Sequence, residues 1–166
     1  MSRFAKAAGT VMGVGYLRPA PGTWGSLAAL PLAWALHQTA GFPLLLLATA
    51  AAFILGLWAT TTMTEGARDH DPSEIVIDEV VGQWIALLPL SYSAWTMGIE
   101  ITALWPGWIA GFVLFRLFDI TKPGPVGWAD RRKDAFGVML DDVIAGFFAA
   151  AGVILLAGLA HGVMGL

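Results

Sequence analysis

Five long apolar stretches, interrupted by a single ionised side chain, limit what this chain can fold into. They run from Trp24 to Ala40, Leu44 to Met63, Val80 to Met97, Ala103 to Phe118 and Val143 to Val163, with Arg116 the one charge inside them. A helix needs about 20 apolar residues to cross the hydrocarbon core of a bilayer. The second and fifth stretches meet that length; the first, third and fourth are shorter and contain Pro31, Pro89 and Pro106. The expected fold is all-α, a polytopic membrane helical bundle of about five transmembrane helices, or four if one short stretch fails to cross. Composition agrees: 57% of residues are hydrophobic and 13% charged, against about 45–50% and 25% in ordinary soluble domains. With 166 residues, one domain covering residues 1–166 is expected.

The charges supply the orientation. Arg3, Lys6 and Arg18 precede the first stretch, Arg68 lies between the second and third, and Arg116 to Lys133 hold the remaining five of nine basic residues. With five crossings these segments share one side, which the positive-inside rule makes cytoplasmic, the N-terminus included. Eleven of twelve acidic residues fall there too, Glu100 being the exception. Acidic residues contribute little to topology, so the rule does not account for them. Loop polarity covers Glu65, Asp69, Glu74 and Asp134. It does not cover carboxylates that abut apolar stretches, which are costly near lipid and point to function. The net charge of −3 suggests no nucleic-acid partner, and no obligate protein partner is evident.

Asp78 and Glu79 open the third stretch and Asp141 and Asp142 the fifth. Helix capping explains one member of each pair; it does not explain two adjacent carboxylates set among apolar residues. Asp119 follows the fourth stretch, at a helix C-terminus where the dipole disfavours an anion. Arg116 and Lys122 stand three residues either side of it. They could form a structural ion pair with it or neutralise a phosphate. The five carboxylates suffice for one or two Mg²⁺ ions, which take oxygen ligands alongside substrate phosphate.

The run Gly13 to Ser26 carries Arg18, Pro21-Gly22, Thr23 and Ser26 ahead of an apolar helix. It reads either as a Pro-Gly turn with a helix N-cap or as an anion site at a helix N-terminus, with Arg18, Thr23 and Ser26 as substrate contacts. No Gly-Lys-Ser/Thr follows, so it is not a Walker A loop. His37 and His161 read as loop or interfacial residues, His70 and Asp71 as exposed or supporting the site, and the eight Trp as interfacial anchors.

At four runs the chain resembles the phosphatidylglycerophosphatase A family of bacterial membrane enzymes. These are Pro21-Gly22-Thr23-Trp24-Gly25-Ser26, Ile75 to Gly82, Phe115 to Pro123, and Asp141 to Gly146. The resemblance implies a helical fold and Mg²⁺-dependent hydrolysis of phosphatidylglycerophosphate at the cytoplasmic face of the bacterial inner membrane. The family's acidic motifs fall on Asp78, Glu79, Asp119, Asp141 and Asp142, as metal ligands, with Asp78, Glu79, Asp119 and Asp142 also expected to act in catalysis. Where members carry a glycine pair before the last acidic pair, this chain has Asp134-Ala135, then Phe136 and Gly137.

Covalent phosphatase chemistry is poorly served. The chain has no cysteine, Thr121 stands where an aspartyl-phosphate enzyme would want a second Asp after Asp119, and paired histidines are absent. Metal-activated water attacking phosphorus is the expected mechanism. The alternatives are a small ion-coupled transporter, which would want charge mid-span, and a CDP-alcohol phosphotransferase, which would want a longer acidic motif.

Overall fold

Residues 2–66 and 72–164 are described by the computed structural model, leaving out the side chains of residues 161, 163 and 164. Arg68, Asp69, His70, Asp71 and the His161 side chain therefore lie outside the described residues. All regular structure described is helical: α1 (Arg3–Gly9), α2 (Pro21–Thr64), α3 (Ile77–Met97), α4 (Trp105–Thr121), α5 (Pro125–Asp130) and α6 (Ala135–Met164). Short 3-10 turns at Val14–Tyr16 and Ile101–Leu104 lead into α2 and α4.

α2 is one element in name and two in space. Ala40 (φ −149°, ψ 24°) and Gly41 (φ 67°, ψ −155°) leave helical geometry in its middle. The packing shows the chain reversing there. Gly9 O accepts a hydrogen bond from Val76 N at 2.9 Å; a Cβ on Gly9 would lie 2.6 Å from Met63 Sδ, and one on Gly25 would lie 2.9 Å from Val76 Cβ. Residues 25 and 63 thus flank the same point, whereas 38 residues of straight helix would part them by about 57 Å. The two arms, 21–39 and 42–64, lie side by side, and Ala29 and Ala33 of one share a core with Leu45 of the other and with Val80, Trp84 and Leu87 of α3. Gly41 is required at the reversal: its φ is left-handed, which costs an L-residue about 1–2 kcal/mol, and the Trp95 ring fills the space a Cβ would need.

Each apolar stretch of the sequence therefore corresponds to a helical segment. Three helices, α2, the stretch Ile101–Thr121 and Ala135–Ala160 of α6, are long and apolar enough to cross a membrane. α3 is not among them. It is the central helix, packed by both arms of α2, by α4 and by α6, so its sides face protein and tolerate polar residues such as Gln83 and Ser91, both fully buried.

The α3–α6 distance is set by glycines. A Cβ on Gly146 would sit 2.5 Å from Gly82 O, and one on Gly82 would sit 2.7 Å from Asp142 O. Such small-residue contacts let helix backbones approach without side chains between them. α3 and α6 enter from the same end, and α4 returns to it, with buried Phe115 over Gly82. One turn towards that end from these contacts lie Asp78, Asp142 and Asp119. Glu100 lies beyond the other end of α3, about 30 Å away by helical rise, hydrogen-bonded to Gln38.

Candidate functional site: a carboxylate cluster at one end of the bundle

Asp78 and Glu79 occupy the first turn of α3, where the positive end of the helix dipole favours them. Asp78 Oδ1 accepts from Glu79 N at 3.1 Å. Asp141 and Asp142 do not open their helix. α6 starts at Ala135, and Asp134 caps it, accepting from Gly137 N at 2.7 Å. The acidic pair is therefore two turns in, and capping accounts for neither member. The departure from the family's glycine pair falls on this cap. Hydrogen bonds from Arg132 and the Gly137 N–H hold the Asp134 carboxyl below its ordinary value.

Asp119 stands in the last turn of α4, as its position after the fourth stretch predicts, with Arg116 Nη1 2.5 Å from its Oδ2. α4 closes at Lys122, which adopts a left-handed conformation (φ 46°, ψ 54°) and donates its N–H to Phe118 O. Lys122 Nζ then reaches Asp141 Oδ2 at 2.6 Å, Asp130 Oδ1 at 2.8 Å and Asp119 Oδ1 at 3.8 Å. Burial works against this ammonium, but hydrogen bonds from it to Asp130 and Asp141 raise its pKa well above the ordinary lysine value.

The five carboxylates form two overlapping groups. Asp78, Glu79 and Asp142 make one, and Asp119, Asp141 and Asp142 the other; within each, one oxygen per residue lies within 4.8 Å of the others. Asp142 belongs to both and is 3% exposed. Its Oδ1 and Glu79 Oε2 are shielded from solvent and have no hydrogen-bond partner. A buried carboxylate oxygen without a donor is strongly disfavoured unless something positive meets it. The donor set is all oxygen, which suits a hard cation such as Mg²⁺, so these residues fit a divalent ion.

The N-terminal run divides. α2 begins at Pro21, with Ala20 before it, so Thr23 and Ser26 lie inside the helix and neither is its N-cap. Ser26 is buried and its hydroxyl donates to Gly22 O at 2.9 Å; Thr23 is half-buried in the first turn. Gly22 reaches the cluster: a Cβ there would collide with Glu79 Oε1 and lie 3.2 Å from Arg116 Nη1. Arg18 stands apart on the exposed side, its Nη1 donating to Ser73 Oγ at 3.1 Å.

Two contributors escaped the sequence reading. Asp130, the last residue of α5, shares Lys122 with Asp141; in sequence it sits in an ordinary polar loop with nothing to separate it from Asp134. Gln83, fully buried with neither amide atom hydrogen-bonded, lies one helical turn below Glu79. Its signal was available: a lone amide four residues after an acidic pair in an apolar stretch.

Comparison with known proteins bears on what this cluster does. The model of the family phosphatidylglycerophosphatase A matches residues 7–157. The chain belongs to that family. Phosphatidylglycerophosphatase A of Haemophilus influenzae is 40% identical over 139 residues, covering 82% of this chain and 78% of that one. Its namesake in Escherichia coli is 36% identical over 132 residues, covering 78% and 70%. A Bacteroides thetaiotaomicron protein named "Putative phosphatidylinositol-3-phosphatase" is 40% identical over 145 residues, covering 84% and 85%. No solved structure matches the chain. As a phosphatidylglycerophosphatase A family member the chain is a phosphatase, and all five clustered carboxylates fall within the matched residues.

Proposed function

We propose that this protein hydrolyses the phosphomonoester of phosphatidylglycerophosphate at the cytoplasmic face of a bacterial inner membrane, crossing the bilayer five times and requiring Mg²⁺. The observation that carries the reading is the pair of three-carboxylate groups sharing buried Asp142, at the end of the bundle that also holds Arg116 and Lys122, in a chain of this family. Asp78, Glu79 and Asp142 would hold the ion, with Asp119 and Asp141 alongside. When bound, Mg²⁺ neutralises phosphate oxygens and lowers the pKa of a water molecule.

The chain's own residues do the rest. Arg116, held against Asp119 and beside Gly22, has a buried Nε without a hydrogen-bond partner and is suited to accept the phosphate's charge. The first turn of α2 can lend the Gly22 N–H and the Thr23 hydroxyl to an anion, the Thr23 N–H being bonded to Ala20 O at 3.0 Å. Arg18 stands at the exposed approach, where it can attract an anionic headgroup. The apolar helix faces leave the glycerol and acyl chains in lipid while the headgroup reaches the cluster.

The Bacteroides relative names a second phosphomonoester lipid, so the substrate is tested by competition. Purified protein should release phosphate from phosphatidylglycerophosphate with a kcat/KM at least tenfold above that for phosphatidylinositol 3-phosphate in the same detergent. The opposite ranking would reassign the substrate; release from neither would reject the activity.

A further inference from the structure

One turn into the bundle from the carboxylates stands a polar side chain that packing does not explain. Gln83 of α3 is fully buried, and neither its amide oxygen nor its amide nitrogen has a hydrogen-bond partner in the protein. An amide held this way costs stability, whereas an apolar group of the same shape would be neutral or stabilising. The fold alone gains nothing from it.

The two sides of Gln83 are settled. Gly82 packs against the Phe115 ring and Asp142 O, and the Trp84 indole donates to Ala29 O at 2.9 Å. Gln83 lies between them, four residues after Glu79 and so on the same helix face. Helical side chains lean towards the N-terminus of their own helix, which here means towards Glu79. Other buried atoms without a hydrogen-bond partner collect there: Glu79 Oε2, Asp142 Oδ1 and Arg116 Nε. Glu79 and Arg116 both crowd Gly22, and Glu79 and Asp142 share a carboxylate group.

Depth decides what meets the amide. α3 runs from the cluster into the bundle, so Gln83 lies about 6 Å further in than Glu79 by helical rise. The leaving oxygen of a lipid phosphomonoester carries glycerol and acyl chains, which have to stay on the open side. In-line displacement then brings the attacking water from the inner side of phosphorus. That is the side on which Gln83 stands.

We propose that Gln83 is a further catalytic residue, which seats the attacking water. Its Oε1 accepts a hydrogen bond from that water, and its Nε2 donates to the phosphoryl oxygen beside it. The water oxygen bonds to phosphorus as the bond to the glycerol oxygen breaks, its electron pair leaving with that oxygen. One water proton departs through a cluster carboxylate and the glycerol oxygen takes one up, giving the lipid alcohol and inorganic phosphate. The proposal rests on the phosphatase reading above and deepens it by naming the residue that places the nucleophile.

The test is Gln83→Met, which keeps the side chain's length and removes both amide atoms. Its kcat on phosphatidylglycerophosphate with Mg²⁺ should fall about 100-fold, the usual cost of a misplaced reacting group. Its KM, and the dissociation constant of inorganic phosphate measured by calorimetry, should stay within about threefold of wild type, because the lost contact is made in the transition state. Its thermal midpoint in detergent should be unchanged or higher. Gln83→Asn, with the amide drawn back by one methylene, should show the same split and decides the matter if Gln83→Met does not fold. A folded variant with wild-type kcat would overturn the proposal. So would a loss confined to KM and phosphate affinity, which marks a ground-state phosphate ligand, or a loss that tracks a lowered midpoint, which marks a structural role. In each of those cases the wild type still hydrolyses the lipid; a wild type that releases no phosphate would instead remove the phosphatase reading, and this proposal with it.

Discussion

At Gly22 a single methyl group would disturb the cluster, because the Cβ of any larger residue would land on the Glu79 carboxylate. That obstacle is the end of a flexible side chain, so Gly22→Ala should displace Glu79 without unfolding the helix. Misplacing a reacting group by about 1 Å can cost about 100-fold in rate. Gly22→Ala is therefore expected to lose phosphate release by about that factor with its thermal midpoint nearly unchanged; a variant as active as wild type would separate Glu79 from the chemistry. The sequence pointed to Gly22 only as half of a Pro-Gly turn, since its closeness to Glu79 is a contact across 57 positions that spacing cannot reveal. The five carboxylates were legible because each sits where lipid or a helix dipole makes an anion expensive. Asp130 and Gln83 were not singled out: one lies in an ordinary polar loop, and the other, a lone amide in an apolar stretch, gave a signal whose weight its burial without partners shows.

Among the elements, the apolar stretches mapped onto helices because burial in lipid or protein needs continuous apolar surface. Their ends mapped less well. The start of α6 lies at Ala135, eight residues before the apolar run begins, because Asp134 caps a short apolar segment that Asp141 and Asp142 separate from the long apolar run. Asp134→Ala should cost about 1 kcal/mol of stability at neutral pH, the usual worth of a cap, read as a lowered midpoint in detergent. The pH dependence has a definite sign. The folded-state pKa of Asp134 is depressed, so its contribution is present above its unfolded value of 3.8 and fades as pH falls through the lower folded value. The gap between wild type and variant should accordingly narrow in strong acid, and a gap that widened there would contradict the capping role. The reversal at Ala40–Gly41 was expected from topology, with its Gly41–Trp95 fit visible only in the structure.

Across the whole molecule, α1, the ends of both α2 arms, the starts of α3 and α6 and the end of α4 converge on one end, while Glu100 and Gln38 meet at the other. The charge distribution in sequence anticipated that polarity; which membrane face the site occupies is a matter for labelling. The chain has no cysteine, so single substitutions report cleanly. Glu100→Cys should react with a membrane-impermeant maleimide in intact cells, and Lys133→Cys only after permeabilisation; the reverse pattern would invert the proposed orientation. The central claim is that the clustered carboxylates hold a divalent ion that phosphate release requires. It is tested most directly by assaying purified protein on phosphatidylglycerophosphate in EDTA, then after adding back Mg²⁺, for the wild type, Asp119→Asn and Asp142→Asn. The account predicts no release in EDTA, full recovery with Mg²⁺ in the wild type, and at least about 100-fold less in both folded variants. Undiminished turnover in EDTA, or wild-type rates from both variants, would contradict it.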